Sequence, residues 1–490
     1  MAQLSEATLK DVAKNVSVPK YKRSELKAGI VHFGVGGFHR AHMAMTIDRL
    51  LNEGLAKDWA ICGVGLLEFD RKMRDVFTEQ DCLFTLVLKH PDGHRETSVI
   101  GSIVEYIFAP DDPSVLIEKL ASPDTKIVSL TITEGGYNFD RVTGEFMAET
   151  PPVAQDLKPG ATPSTAFGYI TEGLRLRRER GLAPFTVQSC DNIQGNGQVA
   201  KNMFVAFAKL KDAELGSWID ANVHFPNSMV DRITPVTAAE DIVEVQAITG
   251  LEDKWPVVAE PFFQWVIDDE FNLGRPPFEK ADVQMVENVM PYELMKLRLL
   301  NASHQGLTYF GYLSGYRYAH EATTDPVIAK FLLKYMEEEA TPTLLPVPGV
   351  NLDDYRKTLI ARFSNPEVKD TLARLCAESS DRIPKWLVPV IHDRLAQGGD
   401  VTLSAAIVAS WARYAEGIDE QGVEINVVDP LRDQLMPIAR SQREHPLAFI
   451  ENRQLFGNLV EDEKFTKPYL GALNSLFENG AHATVAALVK

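Results

Sequence analysis

Near its amino terminus the chain reads Gly29-Ile30-Val31-His32-Phe33-Gly34-Val35-Gly36-Gly37-Phe38-His39-Arg40-Ala41-His42. The apolar run before Gly34 predicts a buried strand, the glycines predict a tight turn, and the apolar periodicity through Leu51 predicts a helix. Glycine at positions 34 and 36 lets backbone N–H groups approach a pyrophosphate at a helix N-terminus. Because the third fingerprint position is His39, the G-x-G-x-x-G pattern is imperfect. The segment therefore predicts dinucleotide binding, with a glycine turn in an ordinary βα unit as the alternative.

An acidic residue follows the second predicted strand, 59–64. A carboxylate in this position binds the ribose hydroxyls of NAD and repels the 2′-phosphate of NADP. We therefore expect Asp70 to favour NAD. Phe69 supplies no second acid, and Arg71 and Lys72 follow directly, so some use of NADP stays open.

Short β-rich segments alternate with helical patterns as far as about residue 290. Such alternation predicts an α/β fold with a Rossmann-like, mostly parallel sheet. The strands predicted beyond the first two are 84–88, 98–106, 126–131, 185–189, 223–225 and 256–260. From Pro291, a residue suited to the first turn of a helix, only helical patterns follow. We expect a dinucleotide-binding α/β domain over 1–290 and a mainly helical domain over 291–490.

The composition is that of an ordinary globular protein. The 490 residues are 45% hydrophobic and 24% charged, and the net charge of -18 argues against nucleic acid or an anionic membrane as a partner. The four cysteines show no metal or redox spacing, as in a reduced cytosolic protein. Neither a signal peptide nor an apolar run long enough to span a membrane is visible. We therefore expect a cytoplasmic protein, and the absence of heptads is compatible with a monomer.

A second informative segment is Lys296-Leu297-Arg298-Leu299-Leu300-Asn301-Ala302-Ser303-His304. On an α-helix, Lys296, Asn301 and His304 fall at about 0°, 140° and 80°, so all three can face one cavity. Apolar surroundings favour the neutral form of an amine, which can act as a base. The alternative is a core helix whose polar side chains satisfy backbone groups.

Two other segments follow predicted strands. Thr131-Ile132-Thr133-Glu134-Gly135-Gly136-Tyr137 could present backbone groups and hydroxyls to a cofactor, or could be a plain strand exit. In Ser189-Cys190-Asp191-Asn192, the Asn192 amide could donate to a developing alkoxide or could bond locally in a turn.

One acid–base pair and one histidine pair in the sequence are interpreted as structural. Asp231 and Arg232, in the β-like run 229–233, are interpreted as a structural ion pair. His39 and His42 have H-x-x-H spacing, but no third ligand lies nearby in the sequence, so we expect no metal.

Taken together, these segments resemble the polyol-specific long-chain dehydrogenase/reductase family. The resemblance rests on residues 34–42, 130–137, 189–192, 225–235, 255–266 and the Lys296 segment, in the same order, with further likeness at 362–365 and 374–385. It implies a zinc-independent, NAD-dependent oxidoreductase of a small-molecule polyol and ketose, here D-mannitol and D-fructose.

The resemblance also implies residue roles. Lys296 would be the general base, Asn192 and Asn301 would stabilise the alkoxide, and Glu293 would lie on a proton path. The substrate would be bound by Val230, Asp231, His304, Arg374 and Arg382, although Arg382 stands where the family tends to have lysine. NAD would be bound by Phe33, Gly34, Val35, Gly36, Gly37, Phe38, His39, Arg40, Asp70, Thr133, Glu134 and Asn192.

Other functions stay open at this point. Relatives with similar motifs reduce fructuronate or tagaturonate, or oxidise arabinitol or sorbitol, and Arg374 or Arg382 could bind a uronate carboxylate. A non-catalytic NAD(H)-binding sensor is a further alternative, although a buried lysine without a catalytic use would cost stability.

Overall fold

The computed structural model describes residues 2–140 and 143–490. The chain divides into two compact units, Met1–Val289 (unit 1) and Met290–Lys490 (unit 2). Each unit is described separately below.

Unit 1 is built around a parallel sheet. Its strands are β1 (Ile30–Phe33), β2 (Ile61–Gly65), β3 (Phe84–Lys89), β4 (Arg95–Ile100), β5 (Ile103–Phe108), β6 (Ile127–Leu130), β7 (Thr186–Ser189), β8 (Ser228–Asp231), β9 (Val257–Ala259), β10 (Gln264–Asp268) and β11 (Gln284–Val286). A five-stranded sheet has the order β5-β2-β1-β6-β7, and all of its neighbouring strands are parallel. Phe33 pairs with Val64 and Leu130, so the carboxyl ends of β1, β2 and β6 lie along one edge. The predicted Rossmann-like, mostly parallel sheet is confirmed.

Two three-stranded sheets complete the described strands of unit 1. Their orders are β11-β10-β8 and β4-β3-β9. Strand β8 is antiparallel to β10, with Val230 paired to Trp265. Strand β3 is antiparallel to β4 and parallel to β9.

Helices surround these sheets. They are α1 (Gly37–Ala41), α2 (Met43–Asn52), α3 (Arg71–Glu79), α4 (Pro113–Ala121), α5 (Thr133–Gly136), α6 (Pro151–Asp156), α7 (Ala166–Glu179), α8 (Asn196–Lys211), α9 (Ala213–Asn222) and α10 (Ala239–Thr249). Apolar side chains on the two faces of the central sheet belong to different core clusters: Ile30 lies in the cluster with α2 and α3, and Val31 lies in the cluster with α7 and α8. Alternation along β1 thus buries both faces.

Two strand predictions were wrong. Segment 98–106 is two strands, because the chain leaves β4 for a different sheet between Ile100 and Ile103, where Gly101 N–H donates to Asp48. Segment 223–225 is not a strand: the His224 N–H donates to the side chain of Asn272 (2.8 Å), and the next strand begins only after Pro226. A continuous run of β-prone residues in the sequence shows neither the change of sheet between β4 and β5 nor the absence of a strand at 223–225.

Unit 2 is helical, and its described residues contain no named strand. Its helices are α11 (Met290–Met295), α12 (Ala302–Leu313), α13 (Ala319–Thr324), α14 (Pro326–Lys334), α15 (Leu352–Phe363), α16 (Leu372–Cys376), α17 (Ser379–Trp386), α18 (Val388–Ala396), α19 (Thr402–Tyr414), α20 (Arg432–Arg440), α21 (Arg453–Phe456), α22 (Glu463–Asn479) and α23 (Ala481–Leu488). In the described part of the chain, no helix is both long and apolar enough to cross a membrane.

The segment expected to be α-helical around Lys296 is different in detail. Residues Lys296–Asn301 form a π-helix between α11 and α12, and Tyr335–Ala340 form a second one after α14. Hydrophobic periodicity does not distinguish an i→i+4 from an i→i+5 hydrogen-bond register, so this local widening was not predictable. π-Helical turns are rare and occur frequently at functional sites.

Candidate functional site

The glycine turn joins β1 to α1 in unit 1. Gly34 has φ +89°, and a Cβ there would lie 2.1 Å from the carbonyl oxygen of Thr131 at the exit of β6. Both the backbone conformation and the neighbouring strand therefore require glycine at position 34.

At position 36, neither the backbone conformation nor a neighbouring atom requires glycine. The φ of Gly36 is -86°, and a Cβ there would meet no heavy atom of the described structure within 4 Å. Glycine at the second fingerprint position leaves open space directly before the N-terminus of α1. A pyrophosphate approaching the backbone would use that space, so the turn fits a dinucleotide.

Asp70 folds back toward the end of β2. Its Oδ2 accepts hydrogen bonds from the N–H groups of Leu66 and Leu67, each at 2.9 Å, directly after the strand ends at Gly65. This turn explains how an acid so far from the glycine turn in sequence lies at the strand end. In dinucleotide-binding folds an acid at this strand end binds the adenosine ribose, so the position of Asp70 fits that expectation.

The neighbouring cations are already engaged by other side chains. Arg71 donates to both carboxylate oxygens of Glu68, at 2.6 and 3.0 Å, and to Asp111 at 3.2 Å. The Lys72 ammonium lies 4.7 Å from the centre of the Trp255 ring. Neither cation is oriented toward a 2′-phosphate by these contacts, which favours NAD over NADP.

Three buried histidines line the turn. His39 stacks on His32 with ring centroids 3.4 Å apart, and His42 Nε2 lies 3.3 Å from the carbonyl oxygen of Gln264. Burial lowers the pKa values of His32 and His42 to about 3 and that of His39 well below its usual range. Over the described residues, no three His, Cys, Asp or Glu side chains cluster as a metal site. The H-x-x-H pair is thus made of neutral rings packed in the core.

The Asp191 carboxylate, just after β7, accepts hydrogen bonds from the segment that follows β6. Asp191 Oδ1 accepts from the Thr133 N–H at 2.8 Å, and Oδ2 accepts from Ile132 N–H at 3.1 Å and Tyr137 Oη–H at 2.7 Å. Burial raises the pKa of Asp191 to about 6. The two segments picked out by sequence at 131–137 and 189–192 are therefore neighbours, and Asn192 follows directly after this carboxylate.

Asp231 and its neighbour are part of the β8 strand end. Asp231 is buried and raises the pKa of His42 slightly against the larger effect of burial and Arg232. Arg232 donates to the carbonyl oxygens of Ala41 (2.6 Å) and Phe262 (2.9 Å). Arg232 thus holds the end of α1, whereas the predicted Asp231–Arg232 ion pair stays a prediction.

In unit 2, Lys296, Asn301 and His304 follow one another along the π-helix and α12, and all are at most 9% exposed. The Oδ1 atom of Asn301 is buried and has no hydrogen-bond partner among the described residues. Glu293, one turn before the lysine in α11, is buried as well. This segment thus buries an amine, an amide and an imidazole, and their joint exposure to one cavity stays a prediction.

Cations surround His304. Burial, followed by the nearby charges of Arg374, Arg362, Arg382 and Lys296, lowers the pKa of His304 well below its usual range. The imidazole is neutral and can both donate and accept a hydrogen bond. Its ring lies against Phe363 with a centroid separation of 4.3 Å.

Two of these cations have fixed positions. Arg374 forms a bidentate pair with Asp370, at 2.7 and 2.5 Å. Arg382 donates to the carbonyl oxygen of Leu375 at 3.0 Å and lies 3.8 Å from Glu378. Unit 2 therefore places near one another the three of its residues to which the family resemblance gives substrate roles, His304, Arg374 and Arg382.

Comparison with known proteins identifies the chain. The model of the mannitol dehydrogenase Rossmann domain matches residues 28–280, and that of the mannitol dehydrogenase C-terminal domain matches residues 288–477. A mannitol 2-dehydrogenase of Phaeosphaeria nodorum is 46% identical over 99% of this chain and 86% of its own. The chain belongs to the mannitol dehydrogenase family.

Solved structures of similar proteins agree with this family assignment. The ternary complex of Pseudomonas fluorescens mannitol 2-dehydrogenase with NAD and D-mannitol is 44% identical, with a TM-score of 0.90 and 99% of both chains covered. A substrate-free D-sorbitol dehydrogenase is 37% identical, with a TM-score of 0.91 over 99% of this chain and 100% of its own. The resemblance seen in the sequence is confirmed at the level of the mannitol dehydrogenase family.

The sequence indicates no role for two residues of this mannitol dehydrogenase family member, Arg362 and Asp191. In the structure, Arg362 is a cation beside His304, and Asp191 holds the turn at 132–133. Both lie inside segments that carried the family resemblance, beside Phe363 and Asn192. Their partners are far away in sequence, so no local pattern could reveal them.

Proposed function

We propose that the protein is an NAD-dependent mannitol 2-dehydrogenase that interconverts D-mannitol and D-fructose. The observation that carries the proposal is the full-length similarity to the P. fluorescens enzyme whose structure holds NAD and D-mannitol. The buried Lys296–Asn301–His304 set and the open glycine turn supply the matching chemistry.

Lys296 is the proposed general base. Its amine takes the proton of the substrate hydroxyl during oxidation and returns it to the carbonyl oxygen during reduction. The Asn301 amide donates to the same oxygen as negative charge develops there, and the family resemblance assigns a second such donor to Asn192. Glu293 passes the proton between Lys296 and solvent. NAD⁺, when bound, supplies the hydride acceptor for the carbinol carbon.

Unit 1 is the proposed cofactor-binding domain. Gly36 would leave room for the pyrophosphate, Asp70 would bind the adenosine ribose, and N–H groups at the N-terminus of α1 would bind the phosphates. The other proposed cofactor-binding residues are Phe33, Gly34, Val35, Gly37, Phe38, His39, Arg40, Thr133, Glu134 and Asn192.

The helical domain, 291–490, is the proposed substrate-binding domain. Neutral His304 hydrogen-bonds a polyol hydroxyl in either direction. Arg374, fixed by Asp370, and Arg382 offer donors to further hydroxyls. From unit 1, Val230 and Asp231 are assigned to substrate by family resemblance.

We also propose a cytoplasmic monomer that binds neither nucleic acid nor membranes. The net charge of -18 and four cysteines that are free and buried support this. Light scattering of the purified protein tests the monomer, and a dimer would contradict it.

The proposed function is tested by substrate profiling. NADH formation is measured on D-mannitol, D-arabinitol and D-sorbitol, and NADH consumption on D-fructose and D-fructuronate. The proposal expects the highest kcat/KM on D-mannitol and D-fructose. A higher value on D-sorbitol would support the second candidate, a sorbitol dehydrogenase, for which the similarity to the D-sorbitol dehydrogenase structure speaks.

A further inference from the structure

Asp191 is a buried carboxylate that binds three donors from a different strand exit. It is 7% exposed, and its two oxygens accept from the Ile132 and Thr133 N–H groups and from the Tyr137 hydroxyl. The Tyr137 hydroxyl also lies 2.5 Å from Ser189 Oγ at the end of β7. The exits of β6 and β7 are therefore linked through one charged acceptor.

The segment that Asp191 holds has an unfavourable backbone conformation. Thr133 has φ +62°, in the left-handed region that β-branched residues rarely adopt. Such a conformation persists only where surrounding contacts fix it, and it often marks a functional site. The hydrogen bond from the Thr133 N–H to Asp191 Oδ1, at 2.8 Å, is such a contact.

The backbone of Asp191 is fixed from its other side. Asn196 Nδ2 donates to the Asp191 carbonyl oxygen at 2.9 Å and to the Ser228 carbonyl oxygen at 2.7 Å, while Asn196 Oδ1 accepts from the Ser228 N–H at 2.9 Å. Asn196 is fully buried. The Asp191 segment is thereby attached to the first residue of β8, the strand that ends at Asp231.

We propose that Asp191, braced by Asn196, is a positioning residue that fixes Asn192 and the Ile132–Thr133 turn for the reaction. It joins the exits of β6 and β7, which carry proposed cofactor contacts, and is attached through Asn196 to the start of β8, the strand that ends at the proposed substrate contacts Val230 and Asp231. Asp191 acts through these neighbours and touches neither substrate nor cofactor. The inference rests on the proposed function, because the roles of Asn192 and Thr133 come from it.

Asp191→Asn tests the inference with little change in shape. The amide can accept with only one of its two heavy atoms, so the donors at Oδ1 and Oδ2 cannot both be satisfied. We expect kcat for D-mannitol oxidation to fall by about 10- to 100-fold, the size expected when reacting groups are misplaced by about 1 Å. We expect a smaller change in the KM for D-mannitol.

Asp156→Asn is the matched control. Asp156 is also a fully buried aspartate of unit 1, and it accepts from the N–H groups of Ser164 and Thr165 ahead of α7. The control should lower Tm and leave kcat within about twofold, because it removes buried hydrogen bonds away from the site. A similar loss of kcat in both variants would show that Asp191 matters only for folding and would overturn the inference.

Amide hydrogen exchange gives a readout that needs no turnover. Asp191→Asn should accelerate exchange at Ile132 and Thr133 by about tenfold or more, since their acceptor is weakened, and Asp156→Asn should not. Unchanged exchange at both amides, or unchanged kcat, would overturn the inference. If Asp191→Asn does not fold, Tyr137→Phe, which removes one donor only, should lower kcat at least about threefold, and wild-type kcat there would overturn it.

The two proposals fail in different ways. Wild-type protein that does not oxidise D-mannitol with NAD⁺ refutes the proposed function. Wild-type activity that persists in Asp191→Asn refutes only the positioning role.

Discussion

Lys296 and Asn301 are the first and last residues of one π-helical segment. In an α-helix, residues five apart point about 140° away from each other. The i→i+5 register of a π-helix brings residues five apart close to one full turn, so they project from a similar side. Both side chains are buried. The local widening of the helix thus reduces the angle between the proposed base and the proposed alkoxide donor.

Asn301→Ala should lower kcat for D-mannitol oxidation by about 100-fold or more, the usual cost of removing one donor to a developing oxyanion. Steady-state kinetics with NAD⁺ in excess measures the effect. Asn474→Ala, an exposed asparagine on α22, is the control and should keep wild-type kcat. An Asn301→Ala enzyme within about threefold of wild type would refute the donor role.

Gly36→Ala should fold normally yet bind NAD⁺ at least about tenfold more weakly, because its Cβ meets open space in the protein and would occupy the pyrophosphate position. Gly34→Ala is the contrasting variant: its Cβ would lie 2.1 Å from the Thr131 carbonyl oxygen at φ +89°, so it should lower Tm instead. Calorimetric titration and thermal melts separate the two. Wild-type NAD⁺ affinity in Gly36→Ala would contradict the cofactor assignment.

Asp70→Asn should reduce the ratio of kcat/KM for NAD⁺ to that for NADP⁺ by about tenfold, since it removes the charge that repels a 2′-phosphate while keeping an acceptor for Leu66 and Leu67. Asp75→Asn, which removes an exposed charge paired with Arg74, is the control. The comparison is made with saturating D-mannitol. An unchanged ratio would show that Asp70 is not the acid that binds the adenosine ribose.

His42→Phe should make stability less sensitive to acid. The folded-state pKa of His42 is lowered to about 3 from 6.5, so its contribution is full above pH 6.5 and is lost as the pH falls below that value. One such histidine lowers the free energy of unfolding by about 2 kcal/mol as the pH falls from 6.5 to about 5. Asp48 and Asp191, with pKa values raised to about 6, have the opposite sign and are common to both proteins.

Urea denaturation of wild type and His42→Phe at several pH values measures that difference. Parallel pH profiles for the two proteins would contradict a neutral buried His42. Phe is chosen because Phe263 and Trp265 already surround the ring, at centroid distances of 4.7 and 5.0 Å.

The parts of the fold with local signals were predictable. The strand, glycine turn and helix at 29–51 are contiguous in sequence, and so is the polar set on the apolar segment at 296–304. The break between β4 and β5 was missed because strand propensity does not state which sheet a strand joins. The sheet with the order β11-β10-β8 depends on tertiary pairings such as Val230 with Trp265.

The site was predictable only where its chemistry lies within a short segment. Asp191 holds amides 58 and 59 residues away, and the three arginines around His304 come from three other helices. Such contacts follow from packing, and spacing along the chain does not encode them. The π-helix depends on a hydrogen-bond register that the residue types in the segment do not encode.

The central claim is that Lys296 is the base of a mannitol-oxidising, NAD-dependent reaction. The most direct measurement is NADH and D-fructose formation from D-mannitol by wild type and Lys296→Ala, with Lys330→Ala, at an exposed lysine of α14, as the control. The account predicts activity in wild type and Lys330→Ala, and a loss of about three or more orders of magnitude in Lys296→Ala. D-Mannitol turnover by Lys296→Ala at the wild-type rate would contradict it.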